Sequence, residues 1–509
     1  MQNNSTQAKQ ILILGGGTAG WMTAMILAKK LNKHGFEVSV LESQDIGIIG
    51  VGEGSTPALK AFFSSMGIGE EEWMPECNAT YKAGITFDAW STKPGFTEYF
   101  HPFKFRLDEQ FSQAFFHSIQ MRRQGVDIPA HPNPFFLSPL LVEKNLAPIP
   151  HYNFPFEPSY GYHFDSGLLG QFLKRRSEQL NIRHIEDKIE EVLLDGNDCI
   201  SALVSQSGAK YHADLFVDCS GFSSVLMQSA LKVGFKSFAS NLFNDSAIAI
   251  PSEIGGNIPS ETRSTAMKFG WRWKIPLTNR FGNGYVYSSN YCSPEQAETE
   301  LRRDLGLLDS DVQARHLKMK VGRIEKHWYK NCLAIGLSQG FIEPLEATAL
   351  FLVQQSAALF ADAFEHGQFT DTNQDSYNDT INGYFEGIRD YIAAHYYTNS
   401  RTDSQYWLDC QNNHDGQSDT LKHILEIWNK GADLTAELRR LGVTKYYTSV
   451  SWHCLLAGMG VFPAQSQLRP PYPNETQVNM ALINDFLHRC SLNFDPHREQ
   501  LGKFTNKKG

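Results

Sequence analysis

A short glycine-rich stretch near the N-terminus constrains the fold of this chain more than any other feature. The pattern G-x-G-x-x-G at residues 15–20 follows the apolar run 11–14 and precedes helix-compatible residues, and a second apolar run ends in Glu42. Strand, glycine turn, helix, strand and acid thus occur in the order of a dinucleotide-binding βαβ unit. In such a unit, amides at a helix N-terminus approach a pyrophosphate and the acid accepts hydrogen bonds from a ribose. The sequence therefore predicts an α/β fold with a Rossmann-type dinucleotide site.

The composition argues against several classes of partner. The 509-residue chain has a formal net charge of −9 and no long basic run, so we expect no nucleic-acid partner. No apolar run reaches the roughly 18–20 residues that span a bilayer, and the polar N-terminus lacks the pattern of a signal peptide. The eight cysteines are scattered and form no C-x-x-C pair, so we expect buried thiols and no metal site. These observations predict a cytoplasmic protein without a membrane partner.

A second strand-to-turn junction is either an ordinary turn or the point where the chain returns to the dinucleotide-binding domain. Residues 217–221, Val-Asp-Cys-Ser-Gly, end an apolar run in an acid and a glycine, which is typical of large FAD-binding folds. The chain has no second complete glycine fingerprint, which disfavours a reductase that holds FAD and NADPH side by side. An amphipathic pattern predicts a helix from Glu346 to His366, and mostly helical patterns follow. We predict two domains: an FAD-binding body with an inserted sheet and substrate-facing segments over 1–370, and a mainly helical substrate-binding lobe over 371–509.

Two tryptophans lie close together in the segment 270–276, Gly-Trp-Arg-Trp-Lys-Ile-Pro. Trp271 and Trp273 are two residues apart, so in a strand their side chains share one face. Two such side chains either pack in a core or wall a cavity, and the residues alone leave both alternatives open.

This segment resembles a motif of one enzyme family. W-x-W-x-I-P is the signature of the flavin-dependent halogenases typified by the tryptophan halogenases, and Trp271, Trp273, Ile275 and Pro276 match it. The similarity extends over residues 10–460. Three further segments resemble the family's flavin-contacting strap, its lysine segment and its acid segment, at 50–57, 80–87 and 336–346. The resemblance implies a GR2-like flavoprotein monooxygenase fold that binds FAD.

The resemblance also implies an activity. The enzyme would use reduced FAD supplied by a separate flavin reductase, make hypohalous acid from O2 and chloride or bromide, and halogenate an indole or another electron-rich aromatic. Lys82 would be the catalytic lysine, which either donates a hydrogen bond to the hypohalous acid or is itself halogenated, and so polarises the halogen toward the ring. Glu346 would be the catalytic acid, which assists that polarisation or takes the ring proton. Trp271 and Trp273 would line a tunnel that keeps the substrate away from the flavin.

Binding residues follow from the same resemblance, position by position. The residues implied for the cofactor are Gly15, Gly17, Thr18, Ala19, Gly20, Glu42, Gly52, Glu53, Ser55, Thr56, Asp218, Gly336 and Leu345. The halide would be held by the amides of Thr348 and Ala349. The aromatic substrate would be held by His101, Phe103 and Trp452, although these three residues fit a packed core equally well.

Two departures from the family pattern bear on specificity. The halide-binding stretch E-S-T-G reads Glu-Ala-Thr-Ala at residues 346–349, and the last alanine adds a methyl group and restricts φ. The preference between chloride and bromide is therefore open. Tyr446 and Tyr447 lie where tryptophan halogenases bind the amino-acid backbone, but residues 444–462 contain no Asp or Glu to pair with an ammonium. We expect a substrate without that head group, such as indole.

Two other functions fit parts of the pattern. An aromatic monooxygenase on a related fold would bind NAD(P)H itself, and its chemistry does not require Trp271, Trp273 and Lys82 together. A flavin-binding protein without catalysis would need neither Lys82 nor Glu346. Both a monomer and a homodimer are compatible with the sequence.

Overall fold

A computed structural model describes residues 8–43, 52–473, 475 and 478–505 of the chain. Gly50 and Val51, the first residues of the predicted strap, lie outside this part. Among the helices of the described residues, none is both long and apolar enough to cross a membrane.

Strands and helices are mixed up to about residue 370, and helices dominate after it, as the sequence predicts. The strands are β1 (Lys9–Leu14), β2 (Phe36–Glu42), β3 (Gly52–Gly54), β4 (Thr80–Lys82), β5 (Gly84–Asp88), β6 (Glu98–Pro102), β7 (Leu146–Pro150), β8 (Gly161–Asp165), β9 (Arg183–Glu186), β10 (Ile189–Leu194), β11 (Ile200–Ser205), β12 (Lys210–Tyr211), β13 (Leu215–Asp218), β14 (Phe235–Ser237), β15 (Ser246–Ser252), β16 (Glu261–Met267), β17 (Gly270–Pro276), β18 (Phe281–Tyr287), β19 (Arg315–Lys318), β20 (Gly322–Ile324), β21 (Trp328–Tyr329), β22 (Cys332–Ala334), β23 (Gly340–Phe341) and β24 (Phe494–Pro496). The α-helices are α1 (Thr18–Leu31), α2 (Ala58–Ser65), α3 (Glu70–Trp73), α4 (Glu109–Arg123), α5 (Leu137–Glu143), α6 (Ser166–Ser177), α7 (Pro294–Leu305), α8 (Ala349–His366), α9 (Gln374–Thr398), α10 (Gln405–Asn412), α11 (Asp419–Asn429), α12 (Leu434–Arg440), α13 (Ser449–Gly458), α14 (Met480–Ser491) and α15 (His497–Thr505).

The chain forms two compact units, each assembled from three separate stretches of sequence. The first unit comprises Met1–Val51, Asp165–Phe238 and Lys320–Glu386, and the second comprises Gly52–Phe164, Ala239–Met319 and Gly387–Gly509. The boundary predicted between residues 370 and 371 rests on helical content alone and stays a prediction.

The first unit contains the predicted βαβ unit. Its largest sheet has the order β21-β22-β13-β1-β2-β9, and all neighbours pair in parallel except β21 and β22. Ile11 and Ile13 of β1 are fully buried. Leu12 points to the opposite face, where it joins Phe216 and Leu203 in the core. A central strand buried on both faces is typical of a parallel α/β sheet. The predicted Rossmann-type fold is thus confirmed.

The second unit is built on a seven-stranded sheet of the order β19-β15-β18-β17-β16-β5-β6. Its neighbours pair antiparallel except β16 and β5, which are parallel. Ile248, Tyr285 and Leu301 form part of a buried cluster between this sheet and α7. A smaller sheet of the order β3-β8-β4 carries Gly54 and Lys82 at the ends of its outer strands.

The helix predicted to begin at Glu346 begins three residues later. Glu346 ends a 3₁₀ turn that starts at Pro344, and Ala347 has a φ of +56°. A residue in the left-handed region does not continue a right-handed helix. The helix α8 therefore begins at Ala349, and the predicted helix start at Glu346 was wrong.

The contact of Trp273 with β18 provides a test of the packing in the second unit. A Cβ at Gly284 would lie 1.9 Å from the Trp273 ring, whereas a Cβ at Gly256 would meet no atom within 4 Å. We expect Gly284→Ala to destabilise the protein by about 1–3 kcal/mol through overpacking. Thermal melting checks this, with Gly256→Ala as the control; equal melting temperatures for the two variants would contradict the packing described.

Candidate active site

The glycine loop of the first unit is tightly packed on one side and open on the other. A Cβ at Gly15 would lie 2.2 Å from the carbonyl oxygen of Cys219, and a Cβ at Gly20 would lie 1.9 Å from that of Gly15. Neither position admits a side chain. A Cβ at Gly17 would meet no atom within 4 Å, and Gly17 is the N-cap of α1. This open space at a helix N-terminus fits the pyrophosphate of FAD.

Glu42 lies against the same loop. A Cβ at Gly16 would lie 1.6 Å from Oε2 of Glu42, so the acid closely covers the loop backbone. The carboxylate binds Nζ of Lys174 at 2.6 Å and Nε2 of His184 at 2.9 Å. Two basic side chains thus hold Glu42 at the end of β2, and its role toward a ribose stays a prediction.

Asp218 organises the turn that packs beside the glycine loop. Its carboxylate accepts hydrogen bonds from the amides of Leu226 and Met227, each at 2.9 Å. Burial raises the pKa of the Asp218 carboxyl, and these hydrogen bonds oppose the shift. Gly336 has a φ of +75°, and a Cβ there would lie 2.9 Å from Cβ of Ala19. The loop after β22 therefore lies directly against the start of α1.

Glu346 and the candidate halide-binding residues lie where a tight turn leads into α8. Leu345, Glu346 and Thr348 are buried, and Thr348 is the N-cap of the helix. Because Ala349 is the first residue of a right-handed helix, its methyl group introduces no backbone strain. The first-turn amides of α8 carry partial positive charge, which suits an anion such as a halide.

Lys82 is fully buried in the second unit, at the end of β4. It pairs across the sheet with Gly161, where a Cβ would lie 2.4 Å from the carbonyl oxygen of Ser55. A Cβ at Gly54 would lie 3.1 Å from Nζ of Lys82. Two glycines thus let the strap approach the lysine. Nζ lies 5.6 Å from the ring centre of Phe103, within cation–π range.

A chain of hydrogen-bonded side chains shares the Lys82 face of the small sheet. Thr80 donates to the carbonyl oxygen of Pro276 at 2.7 Å, and its Oγ1 lies 3.0 Å from Nδ1 of His163. The other ring nitrogen of His163, Nε2, lies 2.9 Å from Oγ1 of Thr262. Burial, together with the charge of Lys82, holds the pKa of His163 well below its usual range, so the ring is neutral.

The opposite face of the same sheet is fixed by a single carboxylate. Glu70, the first residue of α3, accepts hydrogen bonds from the hydroxyls of Tyr81, Tyr160 and Tyr162 at 2.6, 2.8 and 2.6 Å. Since Tyr81 and Tyr162 alternate with Lys82 and His163 along β4 and β8, these bonds set the orientation of the face that carries the lysine.

The two motif tryptophans lie on one face of β17, as predicted. The ring centres of Trp271 and Trp273 are 6.2 Å apart, and both side chains are buried. Ile275 shares this face, and a Cβ at Gly52 would lie 3.5 Å from its Cγ2. The beginning of β3 in the strap therefore lies against the end of the tryptophan motif.

Two of the predicted substrate residues belong to an aromatic cluster around Tyr391. The ring of Tyr391 lies 5.9 Å from His101 and 5.0 Å from Trp452. Tyr447 stacks on Tyr391 with ring centres 3.6 Å apart. The third predicted residue, Phe103, lies beside Lys82.

The structure places the predicted site residues in both units. Lys82, the described strap residues, the two tryptophans and the aromatic side chains belong to the second unit, whereas the glycine loop, Glu346 and the halide-binding residues belong to the first. Sequence reasoning missed Thr80, His163, Thr262 and Tyr391. Only the aromatic alternation around His163 could have drawn attention to any of them.

Comparisons with known proteins agree on one family. A family model described as tryptophan halogenase matches residues 10–470. The tryptophan 6-halogenase of Streptomyces toxytricini is 36% identical over 448 residues, which cover 84% of each chain. The tryptophan 7-halogenase of Lentzea aerocolonigenes is 33% identical over 491 residues, covering 90% of this chain and 91% of that one. The crystal structure of the Streptomyces enzyme superposes with a TM-score of 0.82 at 32% identity, covering 97% of this chain and 99% of that chain.

The fold and these matches define a flavin-dependent halogenase, an enzyme that uses reduced FAD, O2 and a halide. The chain belongs to the tryptophan halogenase family. The predicted family, fold class and enzyme class are therefore confirmed.

The open side of the glycine loop generates a prediction about the cofactor. In Gly17→Ala the new methyl group projects into the space that fits the pyrophosphate, without touching the protein. We expect an unchanged melting temperature and FAD binding weakened at least about tenfold, which corresponds to about 1.4 kcal/mol. Titration of FAD by fluorescence measures this. Gly196→Ala, also in open space in the first unit, is the control; equal Kd values for both variants would show that Gly17 does not face the cofactor.

Proposed function

We propose that this enzyme halogenates indole or another electron-rich aromatic without an amino-acid head group, and that Lys82 activates the hypohalous acid. The observation that carries the proposal is the complete burial of Lys82 beside the ring of Phe103. Removing an ammonium from water costs several kcal/mol. A fully buried lysine next to an aromatic side chain therefore supports a chemical role rather than a structural one.

The proposed chemistry at Lys82 is a proton donation. When bound in its reduced form, FAD supplies the two electrons with which O2 and a halide ion become hypohalous acid and water. The Lys82 ammonium donates a hydrogen bond to the oxygen of the hypohalous acid, which leaves the halogen electron-poor. As the ring carbon attacks the halogen, the oxygen–halogen bond breaks and the oxygen takes a proton from Lys82 to leave as water. The ring carbon then loses its own proton to a base.

For Glu346 we propose one of two roles: it assists the polarisation of the hypohalous acid, or it is the base that takes the proton from the ring carbon. Its burial and its position in a rigid turn support a functional carboxylate. For Thr348 and Ala349 we propose halide binding through backbone amides, supported by the positive end of α8. Because no side chain is required for such a site, both chloride and bromide are candidate substrates.

We propose that a separate flavin reductase supplies the reduced FAD. The single complete glycine fingerprint supports this, because the chain has no second one for NADPH. The eight cysteines are all free thiols, which is compatible with a reducing cytoplasm. The residues implied for FAD, including Glu53, Ser55 and Thr56 of the strap, keep that role as part of the proposal.

The charges around Tyr391 support a substrate without an ammonium group. Residues 444–462, which include Tyr447 and Trp452, contain no Asp or Glu. The carboxylate of Asp390 already has two partners, because it forms an ion pair with Arg389 at 2.8 Å and accepts a hydrogen bond from Ser418 at 2.7 Å. A substrate ammonium would find no free carboxylate among these residues, and burying it unpaired is costly. The two named relatives act on different ring positions, 6 and 7, so the position attacked here is a matter for experiment.

The activity can be tested with purified protein, FAD, a generic flavin reductase, NADH, O2, bromide and indole. With excess taurine present to trap free hypobromous acid, we expect brominated indole by mass spectrometry, and no such product from Lys82→Met, which keeps the length of the side chain but cannot donate a proton. Taurine, which hypohalous acid converts to an N-halo derivative, should still be halogenated by Lys82→Met, because the variant leaves halide oxidation intact.

Lys60→Met is the matched control, since Lys60 pairs with Glu157 near the surface and such pairs contribute little. Brominated indole from Lys82→Met at the wild-type rate would refute the role of Lys82. A hydroxylated product, or NADH oxidation without the reductase, would instead favour a monooxygenase.

The substrate proposal predicts an order of turnover. We expect kcat/KM for indole to exceed that for tryptophan and for tryptamine by at least about tenfold, because both of the latter carry an ammonium group. Steady-state assays with the three compounds measure this. Comparable values for indole and tryptophan would contradict the proposal. A preference for tryptophan alone would contradict it as well, and would show that the enzyme recognises the amino-acid head group.

A further inference from the structure

The hydrogen bonds around His163 have a defined direction. The carbonyl oxygen of Pro276 can only accept, so the single hydroxyl proton of Thr80 points to it. The contact between Thr80 and Nδ1 of His163 must then be a donation from the ring. In a neutral imidazole the other nitrogen, Nε2, is an acceptor, and its partner Thr262 is the donor.

This direction decides what Thr262 offers to its other neighbours. A hydroxyl has one proton, and the proton of Thr262 is engaged by His163. Only lone pairs of its oxygen remain, and these attract a cation. The position that a Cβ would occupy at Gly54 lies 3.1 Å from Nζ of Lys82, 3.4 Å from Oγ1 of Thr262 and 3.6 Å from Cδ2 of His163. The three side chains therefore converge on one glycine of the strap.

We propose that Thr262 and His163 are positioning residues for Lys82. The Thr262 oxygen and the Lys82 ammonium both border Gly54, and the chain of hydrogen bonds from His163 through Thr80 to Pro276 commits the Thr262 proton to His163. The lone pairs of Thr262 then orient the ammonium beside Phe103 by electrostatic attraction across the space next to Gly54, rather than through a direct hydrogen bond. The inference rests on the proposed function, because it concerns how the Lys82 ammonium is oriented and takes its catalytic role from that proposal.

The relay also gives the proline of the tryptophan motif a physical role. Pro276 closes β17 and provides the carbonyl oxygen that fixes the proton of Thr80. Proline has no amide proton and a fixed φ, so the end of this strand has little freedom. Two threonines and one histidine thus connect the motif to the space beside Gly54 that Lys82 also borders, and all of these residues belong to the second unit.

The test uses variants that remove single links. Thr262→Val deletes the hydroxyl with little change in shape, and Thr265→Val makes the same change three residues along β16, where the side chain points to the other face. His163→Asn keeps a donor near the Nδ1 position but lacks an acceptor for Thr262, whereas His163→Gln can place its oxygen near the Nε2 position. Each variant is assayed with bromide, indole and excess taurine in the same sample, for brominated indole per FADH2 oxidised and for halogenated taurine as the measure of escaped hypohalous acid.

We expect Thr262→Val and His163→Asn to lower brominated indole per FADH2 by about tenfold or more, because small misplacements of a reacting group cost that much. Halogenated taurine should rise in the same samples. Thr265→Val should give the same yield of brominated indole per FADH2 as the wild type, and His163→Gln should give a higher yield than His163→Asn. The positioning role is wrong if Thr262→Val gives as much brominated indole per FADH2 as Thr265→Val. It is also wrong if the yields of brominated indole and halogenated taurine fall together in Thr262→Val.

Lys82→Met in the same assay separates the two proposals. Brominated indole from Lys82→Met at the wild-type rate means that the role of Lys82 in the proposed function fails. If Lys82→Met gives no brominated indole while Thr262→Val behaves as the wild type, the proposed function stands and only the positioning role is overturned.

A spectroscopic measurement tests the relay without any turnover. In protein labelled with ¹⁵N-histidine and without FAD, we expect His163 to show a neutral ring protonated at Nδ1 at pH 7, with the signal assigned by its loss in His163→Asn. A ring protonated at Nε2, or an imidazolium, would reverse or abolish the direction of the hydrogen bonds and overturn the inference.

Discussion

The complete burial of the Lys82 side chain is the constraint that the small sheet of the second unit has to satisfy. A charge without contact to solvent must be accommodated by its surroundings, because its desolvation costs several kcal/mol. The small sheet β3-β8-β4 meets this requirement from two sides. One face carries Lys82 with polar and aromatic neighbours, and the other is fixed by three tyrosine hydroxyls on the carboxylate of Glu70. Strand, strap and helix α3 are thus arranged around one side chain.

Close approach of backbone segments makes that arrangement possible. A Cβ at Gly54 would lie 3.1 Å from Nζ of Lys82, and a Cβ at Gly161 would lie 2.4 Å from the carbonyl oxygen of Ser55 in the strap. The glycine loop of the first unit follows the same principle, since Gly15 and Gly20 are packed against backbone oxygens and only Gly17 faces open space. In both units glycine serves to bring chemistry-bearing groups and backbone within contact distance, which any larger residue would prevent.

Much of the fold could be predicted from the sequence, and the candidate site only in part. The order of β1, α1 and β2 follows from local apolar runs and a glycine pattern, and Trp271 and Trp273 share a face because strands alternate. The helix start at Glu346 was wrong by three residues, because the left-handed conformation of Ala347 has no signature in an apolar pattern. Thr80, His163 and Thr262 were missed because their mutual hydrogen bonds join residues 83 and 99 positions apart.

By itself the sequence determined the class of fold and the family, and it supplied the lysine and the acid for which catalytic roles are proposed. These properties are carried by short patterns whose physical meaning is local: a turn, a strand face, a helix start. Only the tertiary structure decided how deeply Lys82 is buried, which side chains converge on it, and which way the proton of each hydroxyl points. Burial and hydrogen-bond direction are set by groups that meet across strands, such as Thr80 and the carbonyl of Pro276, which are 196 positions apart. No local pattern encodes such a pairing.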